Sequence, residues 1–399
     1  MNIAVAHHLP TGGAVRVLVE WLERTRAREL TLYTRDASVH RFVPVPDRVR
    51  IVERPLRQGY GAIDEIVRLA RSPHDGAQLA SEIDAAGHDA VFCFASALTQ
   101  ALDVLPYLRT PSLFYAPEPL RSAYEPPALV RLAPGWRGTI TRLGINPIEL
   151  RRRRLDRRYL RAAPSIVTHS FFTQETLREI YGVDSEVVHL GVDTVALSPL
   201  AGQREGYVLS VGALHPLKAH DQVIEALATL PEPRPRLVLI GDRGESEGAL
   251  YELARARGVT LEIRTKLQFA DVVKLYQRAS VVVCAQIREP FGLVPLEAMA
   301  CATPVVAIAE GGFKETIENG KTGLLVARDP IALGGAIASV LRDAKLADSL
   351  GTAGRDAVTR SWTWTRTAAA YDSLLEGLLD SEPYRSSTPT TFEDPAKKG

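Results

Sequence analysis

Two acidic residues, Glu289 and Glu297, stand eight positions apart around a Pro-Phe-Gly turn. The turn leads into a short apolar helix, and residues 304–308 after it read as a buried strand. Unpaired backbone N–H groups and the dipole at a helix start both favour an anion. Carboxylates beside such a cradle would accept hydrogen bonds from sugar hydroxyls. The combination predicts a ligand with both phosphate and sugar, such as a nucleotide sugar.

A glycine pair, Gly12-Gly13, follows the first predicted strand and begins a predicted helix over residues 14–26. Many such pairs only make a tight turn. At this junction, however, a ligand phosphate could approach the backbone closely. The dinucleotide fingerprint Gly-x-Gly-x-x-Gly follows no predicted strand, which argues against a dehydrogenase.

An equivalent junction follows a later strand and contains Gly212 and Lys218. Lys218 falls at or just before a helix start, where a cation faces the unfavourable end of the dipole. An anion between lysine and helix would explain that placement, although a surface lysine with its ammonium in water is the alternative. Glu297 also has a structural alternative, because Pro295 fits a first helical turn in which a carboxylate caps free N–H groups. Glu289 precedes a proline outside the helix and lacks that explanation.

Strands and helices alternate along the chain, with a break near residues 198–202. Continuous apolar strands joined by helices favour parallel sheets covered on both faces. The predicted class is α/β, with two doubly wound Rossmann-like domains facing a cleft. Strands are predicted at residues 2–6, 30–34, 90–94, 112–115, 165–168 and 186–190, and again at 207–211, 236–240, 260–263, 280–284, 304–308 and 323–326.

The domain boundaries follow from this alternation. We expect an N-terminal acceptor-binding domain over residues 1–200 and a C-terminal donor domain over 201–361. A helix over 362–380 is expected to return to the first domain. The polar segment 381–399 is rich in Pro, Ser and Thr and is predicted to be disordered.

Composition narrows the class of protein. The chain has 399 residues, 46% apolar and 24% charged, with a formal net charge of +1. That balance gives no reason to expect nucleic-acid binding, and no stretch of eighteen apolar residues predicts a membrane span. We expect a cytoplasmic protein. The three cysteines are far apart and suit buried thiols, and no Asp-x-Asp motif or ligand cluster predicts a metal.

An arginine run, Arg151 to Arg161, reads RRRRLDRRYLR. It fits a solvated helix face. It also fits a basic surface that binds either the inner face of an anionic membrane or a phosphorylated acceptor. The sequence leaves both interpretations open.

Positions 206–375 closely resemble the donor domain of the large retaining glycosyltransferase family numbered four, which has the GT-B fold. The first domain matches more loosely, through Gly12-Gly13, residues 115–121, Ser170 and residues 191–193. In the second domain the resemblance is carried by Val211-Gly212 with Pro216 and Lys218, Gly241-Asp242, residues 289–292 with Glu297, residues 301–306, Gly312 with Glu315, and Thr322-Gly323.

The resemblance implies a retaining hexosyltransferase that needs neither a metal nor a cofactor. It also implies a role in polysaccharide or glycolipid assembly, with mannose or glucose as the first guess for the transferred sugar. Glu289 and Lys218 would be catalytic, the first holding sugar hydroxyls and the second neutralising the diphosphate. Glu297 would bind the ribose. The remaining donor contacts would come from the glycine turns and the amides of one segment: Gly12, Gly13, Gly212, Phe291, Gly292, Leu293 and Val294.

Two positions depart from the family pattern. Ala213 stands where the family usually has a phosphate-binding arginine, and Pro117 stands where an active-site histidine is common. The acceptor side is therefore assigned to Glu118 or Arg121. A sugar-, lipid- or natural-product-linked acceptor is expected.

Two other functions stay open. The departures at Ala213 and Pro117 fit a non-catalytic nucleotide-sugar-binding protein with the same fold. A GT-B hydrolase or epimerase is the third option, against which the spacing of Glu289 and Glu297 argues. The nucleotide base, the sugar, the acceptor and the oligomeric state are not readable from these residues.

Overall fold

The structure is a computed structural model that describes residues 1–9, 12–56, 59, 61–124, 147–202, 204–242, 244 and 246–380. The predicted tail, 381–399, lies outside the described residues. The chain forms two separate parallel sheets, one from strands within residues 2–187 and the other from strands within residues 208–326. The predicted boundary at residue 200 falls between them.

The first sheet has seven parallel strands in the order β3-β2-β1-β4-β5-β6-β7. Its central strands are almost completely buried, because helices cover both faces. The strands are β1 (Asn2–His8), β2 (Glu29–Thr34), β3 (Val49–Glu53), β4 (Ala90–Ser96), β5 (Ser112–Tyr115), β6 (Ser165–Thr168) and β7 (Glu186–Val187).

Strand β3 is the element that the sequence did not predict. It lies at the edge of the first sheet, where Arg50, Ile51 and Glu53 are exposed. An edge strand has one neighbour and little buried surface, so its sequence lacks the continuous apolar run that marked the other strands.

The second sheet has six parallel strands in the order β10-β9-β8-β11-β12-β13. It reproduces every predicted strand of the second half to within about one residue at each end. The strands are β8 (Val208–Val211), β9 (Leu237–Ile240), β10 (Leu261–Arg264), β11 (Val281–Cys284), β12 (Val305–Ile308) and β13 (Leu324–Val326).

Helices connect most of these strands and pack on both faces of each sheet. In the described part of the chain the helices are α1 (Gly13–Arg24), α2 (Ala62–Ala85), α3 (Arg121–Tyr124), α4 (Pro147–Arg161), α5 (Phe171–Tyr181), α6 (His220–Ala228), α7 (Glu247–Arg257), α8 (Phe269–Arg278), α9 (Leu293–Ala300), α10 (Phe313–Thr316), α11 (Pro330–Arg342), α12 (Ala344–Ser361) and α13 (Trp364–Asp380).

The last helix, α13, crosses back to the first sheet and packs against α1, β4 and β5. A buried carboxylate anchors it there. Asp372 accepts hydrogen bonds from the Trp21 indole at 2.9 Å, the Thr25 hydroxyl at 2.6 Å and the Arg26 amide at 2.9 Å. Because all three donors belong to α1 or its end, they hold the last helix of the chain on the first domain.

Both sheets have the topology of doubly wound domains, as predicted, and each changes winding direction beside its central strands. Ligands of such sheets bind beyond the carboxyl ends of the strands. The loops that follow β1, β8 and β11 carry Gly12, Gly212 and Glu289 respectively. The fold therefore brings the predicted site loops to the strand ends from which a shared cleft can be built.

Candidate active site

A cleft of about 640 Å³ lies between the two domains. Residues from both domains line it, including Tyr115 and Leu9 from the first domain and Leu217 from the second. Most of the predicted site residues also line it: Gly12, Gly13, Glu118, Arg121, Lys218, Glu289, Phe291, Gly292, Leu293 and Val294. Gly212 and Glu297 are the two predicted residues that do not.

Lys218 and Glu289 meet in this cleft, where the Lys218 Nζ donates to Glu289 Oε2 at 2.9 Å. Their side chains are 32% and 21% exposed, so a ligand can reach both. Lys218 ends a short 3₁₀ turn over Pro216–Lys218 that the His215 side chain caps. Gly212 has φ 154°, and a Cβ there would lie 3.1 Å from Lys218 Cγ. The glycine therefore leaves room for the lysine stem to lie along the turn.

The turn that presents Glu289 depends on close backbone packing. Gly292 begins α9 with φ 109°, and a Cβ there would lie 2.8 Å from the Phe313 ring. The Gly312 amide donates to the Glu289 carbonyl at 2.8 Å. These contacts hold the Glu289 backbone against α10, so the carboxylate projects from a fixed position.

Two helix starts face the cleft, those of α1 at Gly13 and of α9 at Leu293. Neither has a side-chain cap or an acidic residue in its first turn. Their first N–H groups consequently keep their capacity to donate to a ligand, and both dipoles favour negative charge there. The arrangement is suited to a diphosphate.

Glu297 is held by one residue from each domain, and its contact with a ribose stays a prediction. It is 8% exposed, accepts a hydrogen bond from the Tyr276 hydroxyl at 2.7 Å and forms an ion pair with Arg16. It therefore does not cap α9, and it stands behind the cleft wall rather than on it. Arg16 belongs to α1, so this pair joins the two domains. Burial and the neighbouring carboxylate raise the pKa of Tyr276 well above its usual value.

The predicted acceptor residues, Glu118 and Arg121, line the first-domain side of the cleft. Arg121 Nη2 donates to the Ile287 carbonyl of the second domain at 3.0 Å. Pro117 and Ala213, the two departures from the family pattern, line the same cleft. Among the described residues that line it, Lys218 and Arg121 are the lysine and arginine side chains.

His169 also lines the cleft, and the sequence did not single it out. It follows β6, is 4% exposed, and its Nδ1 lies 2.7 Å from the Tyr115 hydroxyl. Its Nε2 has no hydrogen-bond partner within the described residues. Burial lowers the pKa of His169 to about 3, which keeps the imidazole neutral. The sequence alone could not identify His169 as a site residue. Its position next to Tyr115 depends on the order of the strands in the sheet.

The two domains also meet around the Glu289 turn. The Ser170 hydroxyl donates to the Pro290 carbonyl at 2.5 Å. Glu315 accepts from the amides of Phe171 and Phe172 at the start of α5, at 2.9 and 2.8 Å. These contacts place the first turn of α5 directly against the loop that carries Glu289.

The arginine run forms most of α4. Several of its guanidinium groups bond to the chain itself: Arg157 to the Ile180 carbonyl at 2.8 Å, and Arg161 to the Tyr181 carbonyl at 2.7 Å. Arg152 pairs with Glu149 at 3.0 Å. These arginines are thus partly structural, and the membrane contact stays a prediction.

Other site types are not supported by the described residues. No group of three or more His, Cys, Asp and Glu side chains in the described part of the chain could hold a metal ion. The same residues contain no helix both long enough and apolar enough to cross a membrane. All three cysteines are buried, and burial raises the pKa of each thiol.

The second domain matches a known protein family. Residues 198–357 match the family described as "Glycosyl transferases group 1". A curated relative, the D-inositol 3-phosphate glycosyltransferase of Acidothermus cellulolyticus, is 32% identical over 244 residues, which is 55% of this chain and 52% of the relative. The chain thus matches about half the length of such curated relatives.

Solved structures match nearly the whole fold. Sucrose-phosphate synthase from Thermosynechococcus elongatus has a TM-score of 0.72 at 20% identity, covering 95% of this chain and 99% of its own. Anabaena HepE in complex with UDP-glucose has a TM-score of 0.69 at 18% identity, covering 94% and 100%. These likenesses confirm the predicted two-domain GT-B fold.

Proposed function

We propose, from the membership of residues 198–357 in the glycosyl transferases group 1 family, that this protein is a glycosyltransferase. It moves a hexose from a nucleoside-diphosphate sugar to an acceptor hydroxyl. The first domain holds the acceptor, the second holds the donor, and the reaction takes place in the cleft between them.

The ion pair between Lys218 and Glu289 carries this proposal, because it puts a cation and a carboxylate 2.9 Å apart on one cleft wall. In that place the ammonium neutralises the diphosphate, and the carboxylate accepts hydrogen bonds from sugar hydroxyls. The amides of residues 291–294 and of Gly12-Gly13 complete the donor side. Groups fixed in this way stabilise charge on a leaving diphosphate without reorganisation, an effect worth several kcal/mol.

The reaction proceeds with retention at the sugar carbon and without a metal. The bond from the sugar carbon to the diphosphate breaks, and the acceptor oxygen bonds to the same face of the carbon. A phosphate oxygen of the leaving group takes the acceptor proton. Lys218 and the two helix starts stabilise the charge that develops on the diphosphate.

His169 takes a place beside the transferred sugar. Its Nε2 is buried without a partner in the described structure, and an unmade hydrogen bond of this kind is costly. If the Tyr115 hydroxyl donates to Nδ1, Nε2 carries the proton and can donate to a sugar hydroxyl or a phosphate oxygen. His169 thereby offers a polar group on the side where Pro117 replaces the histidine common in the family.

The similar proteins suggest the first substrates to test. HepE was solved with UDP-glucose, and the Acidothermus relative is named for an inositol phosphate acceptor. Glucose or mannose on uridine or guanosine diphosphate is therefore the first donor set. Polysaccharide or glycolipid assembly in the cytoplasm is the proposed setting, with α4 as a peripheral contact at the inner membrane face.

A donor screen tests the proposal. Thermal shift with uridine and guanosine diphosphate sugars should identify one donor that stabilises the protein. That donor should then release diphosphate only when an acceptor is present, and proton NMR of the product should show the anomeric configuration of the donor. Inversion at the sugar carbon would refute retention, and a requirement for added divalent metal would refute metal independence.

A nucleotide-sugar-binding protein without transferase activity is the second candidate. It is favoured by Ala213 and Pro117, which both line the cleft and both replace polar residues of the family pattern. Tight donor binding without turnover, over a broad set of acceptors, would support it. Release of free sugar without transfer would instead indicate a hydrolase.

A further inference from the structure

A second cavity, of about 350 Å³, lies in the first domain beside the interdomain cleft. We call it the arginine pocket, because Arg35, Arg68 and Arg152 all line it. Ala97 lines both the arginine pocket and the cleft, so the two spaces adjoin there. The pocket therefore adjoins the first-domain side of the cleft, where the acceptor is proposed to bind.

The three arginines come from three separate elements. Arg35 follows β2, Arg68 lies on α2 and Arg152 lies on α4. Each has a buried Nε with no hydrogen-bond partner among the described residues. Charged donors buried without an acceptor are costly. These Nε atoms are closed off from the cavity, so a ligand there would meet other atoms of the three arginine side chains that line it.

Other bonds hold the guanidinium groups in position. Arg35 is 7% exposed and donates through Nη2 to Asp103 at 2.9 Å and to the Asp75 carbonyl at 3.0 Å. Arg68 Nη1 donates to the Gly59 carbonyl at 3.3 Å. Since these contacts use the terminal nitrogens, they fix the arginines and leave each Nε unpartnered in the described structure.

Two carboxylates and a histidine also line the arginine pocket: Asp36, Glu65 and His8. Glu65 forms an ion pair with Arg152. Asp36 accepts a hydrogen bond from the Ser38 amide at 2.8 Å and lies in an exposed turn. Burial, with the charges of Arg35 and Arg68, lowers the pKa of His8 to about 4, so its imidazole is neutral. Since Arg35 is paired with Asp103, and Arg152 with Glu65 and Glu149, Arg68 is the lining arginine with no carboxylate partner among the described residues.

We propose that the arginine pocket binds a phosphate group carried by the acceptor and so directs the acceptor hydroxyl into the cleft beside Glu289. This rests on the glycosyltransferase function proposed above and assigns its acceptor class. Guanidinium groups bind phosphate oxygens with short, charge-assisted hydrogen bonds. A phosphomonoester carries close to two negative charges and three acceptor oxygens, which suits a cavity lined by arginine side chains from three separate elements.

A binding measurement tests the assignment without requiring turnover. The protein is first saturated with nucleoside diphosphate, so that the donor cleft is occupied, and inorganic phosphate is then titrated by calorimetry. Arg68→Gln and Arg152→Gln should each weaken phosphate binding by about tenfold or more, the scale of one lost charge-assisted hydrogen bond. The control Arg178→Gln, at an exposed ion pair on α5, should bind phosphate as the wild type does.

The outcomes separate this inference from the proposed function. Wild-type phosphate affinity in both pocket variants would overturn the pocket assignment and leave the transferase proposal intact. Equal or tighter binding of a hexuronate, tested as the carboxylate probe, would overturn the choice of phosphate. Nucleoside diphosphate affinity should be the same in all three variants, and folding is checked by circular dichroism. Once the donor is known, a hexose phosphate acceptor should lose kcat/KM in Arg68→Gln, whereas the unphosphorylated hexose should not.

Discussion

The two domains are both doubly wound, but they differ in whether the polar atoms near the cleft have hydrogen-bond partners. In the second domain, Lys218 is paired with Glu289 in the cleft, and Glu297, which does not line the cleft, is paired with Tyr276 and Arg16. In the first domain, the His169 Nε2 and the Nε atoms of Arg35, Arg68 and Arg152 are buried without partners in the described structure. Gln286 Oε1 is the comparable atom in the second domain.

This difference has a physical consequence for binding. A ligand at the second domain must exchange with contacts that exist already, so the pairing keeps charged groups in place until a diphosphate arrives. A ligand that reached the buried His169 Nε2 would instead supply a hydrogen bond that is missing, without breaking an existing one. We expect substitutions in the second domain to reduce catalysis and those in the first domain to affect acceptor recognition and stability.

The largest expected effect is on the donor side. Glu289→Gln keeps the size of the side chain but removes the charge that pairs with Lys218, and it should lower kcat by about a hundredfold, the scale of one lost electrostatic contact. Steady-state assays of diphosphate release measure this. Glu318→Gln, at an exposed pair with Lys321 in the same domain, is the matched control. Equal activity in both variants would remove Glu289 from the site.

A smaller effect is expected from the first-domain side of the cleft. His169→Asn removes the unpartnered Nε2 and should lower kcat/KM for the acceptor reaction by about tenfold, the value of one hydrogen bond to a buried polar group. His74→Asn, at an exposed position on α2, should have no effect. If His169→Asn kept wild-type kinetics, the residue would be a core histidine only.

Acid should destabilise the first domain before the second. Burial lowers the pKa of His7 and His169 to about 3 and of His8 to about 4, from 6.5. At these histidines the unfolded state therefore binds more protons below pH 6.5, and each histidine still neutral lowers stability by about 1.4 kcal/mol per pH unit as pH decreases toward pH 4. Burial raises the pKa of Asp156 to about 7, and this carboxyl offsets one histidine over the same range. In the second domain, burial also lowers the pKa of His220.

Hydrogen exchange measures this contrast. Between pH 7 and pH 5, exchange corrected for the intrinsic rate should show earlier loss of protection in β1 and β6 than in β8 and β11. Simultaneous loss in both sheets would show that the domains unfold together. Earlier loss in the second sheet would contradict the prediction.

The smallest expected effect concerns the link between the domains. Arg16→Ala leaves the Glu297 carboxylate, which is 11% exposed, with the Tyr276 hydroxyl as its remaining described partner. The free energy of unfolding should fall by about 1 kcal/mol, near the upper range for an ion pair that is partly exposed. Thermal denaturation, compared with Lys321→Ala, measures it. An unchanged melting temperature would show that this pair contributes little.

Much of the fold was predictable from the sequence because buried parallel strands have continuous apolar runs. The six strands of the second sheet show this directly. Strand β3 was missed since an edge strand with Arg50 and Glu53 lacks that pattern. The pairing of Lys218 with Glu289 was foreseeable from two loops at equivalent strand ends, whereas the pairing of Glu297 with Arg16 depends on how the domains meet.

The first-domain site could not have been predicted in the same way. His169 reaches the cleft because β6 lies beside β5, which places it next to Tyr115. Arg35, Arg68 and Arg152 are far apart in the chain, and only the packing of α2 and α4 brings them to one cavity. Single residues of ordinary types give no signal until strand order and helix packing are known.

The central claim is that Lys218 holds the diphosphate of a nucleotide sugar. Calorimetric titration of uridine and guanosine diphosphate into wild type, Lys218→Ala and the surface control Lys321→Ala tests it most directly. We predict that one nucleotide binds wild type and Lys321→Ala equally and binds Lys218→Ala at least about tenfold more weakly, as expected for a lost charge-assisted contact. Equal affinity in all three proteins would contradict the claim.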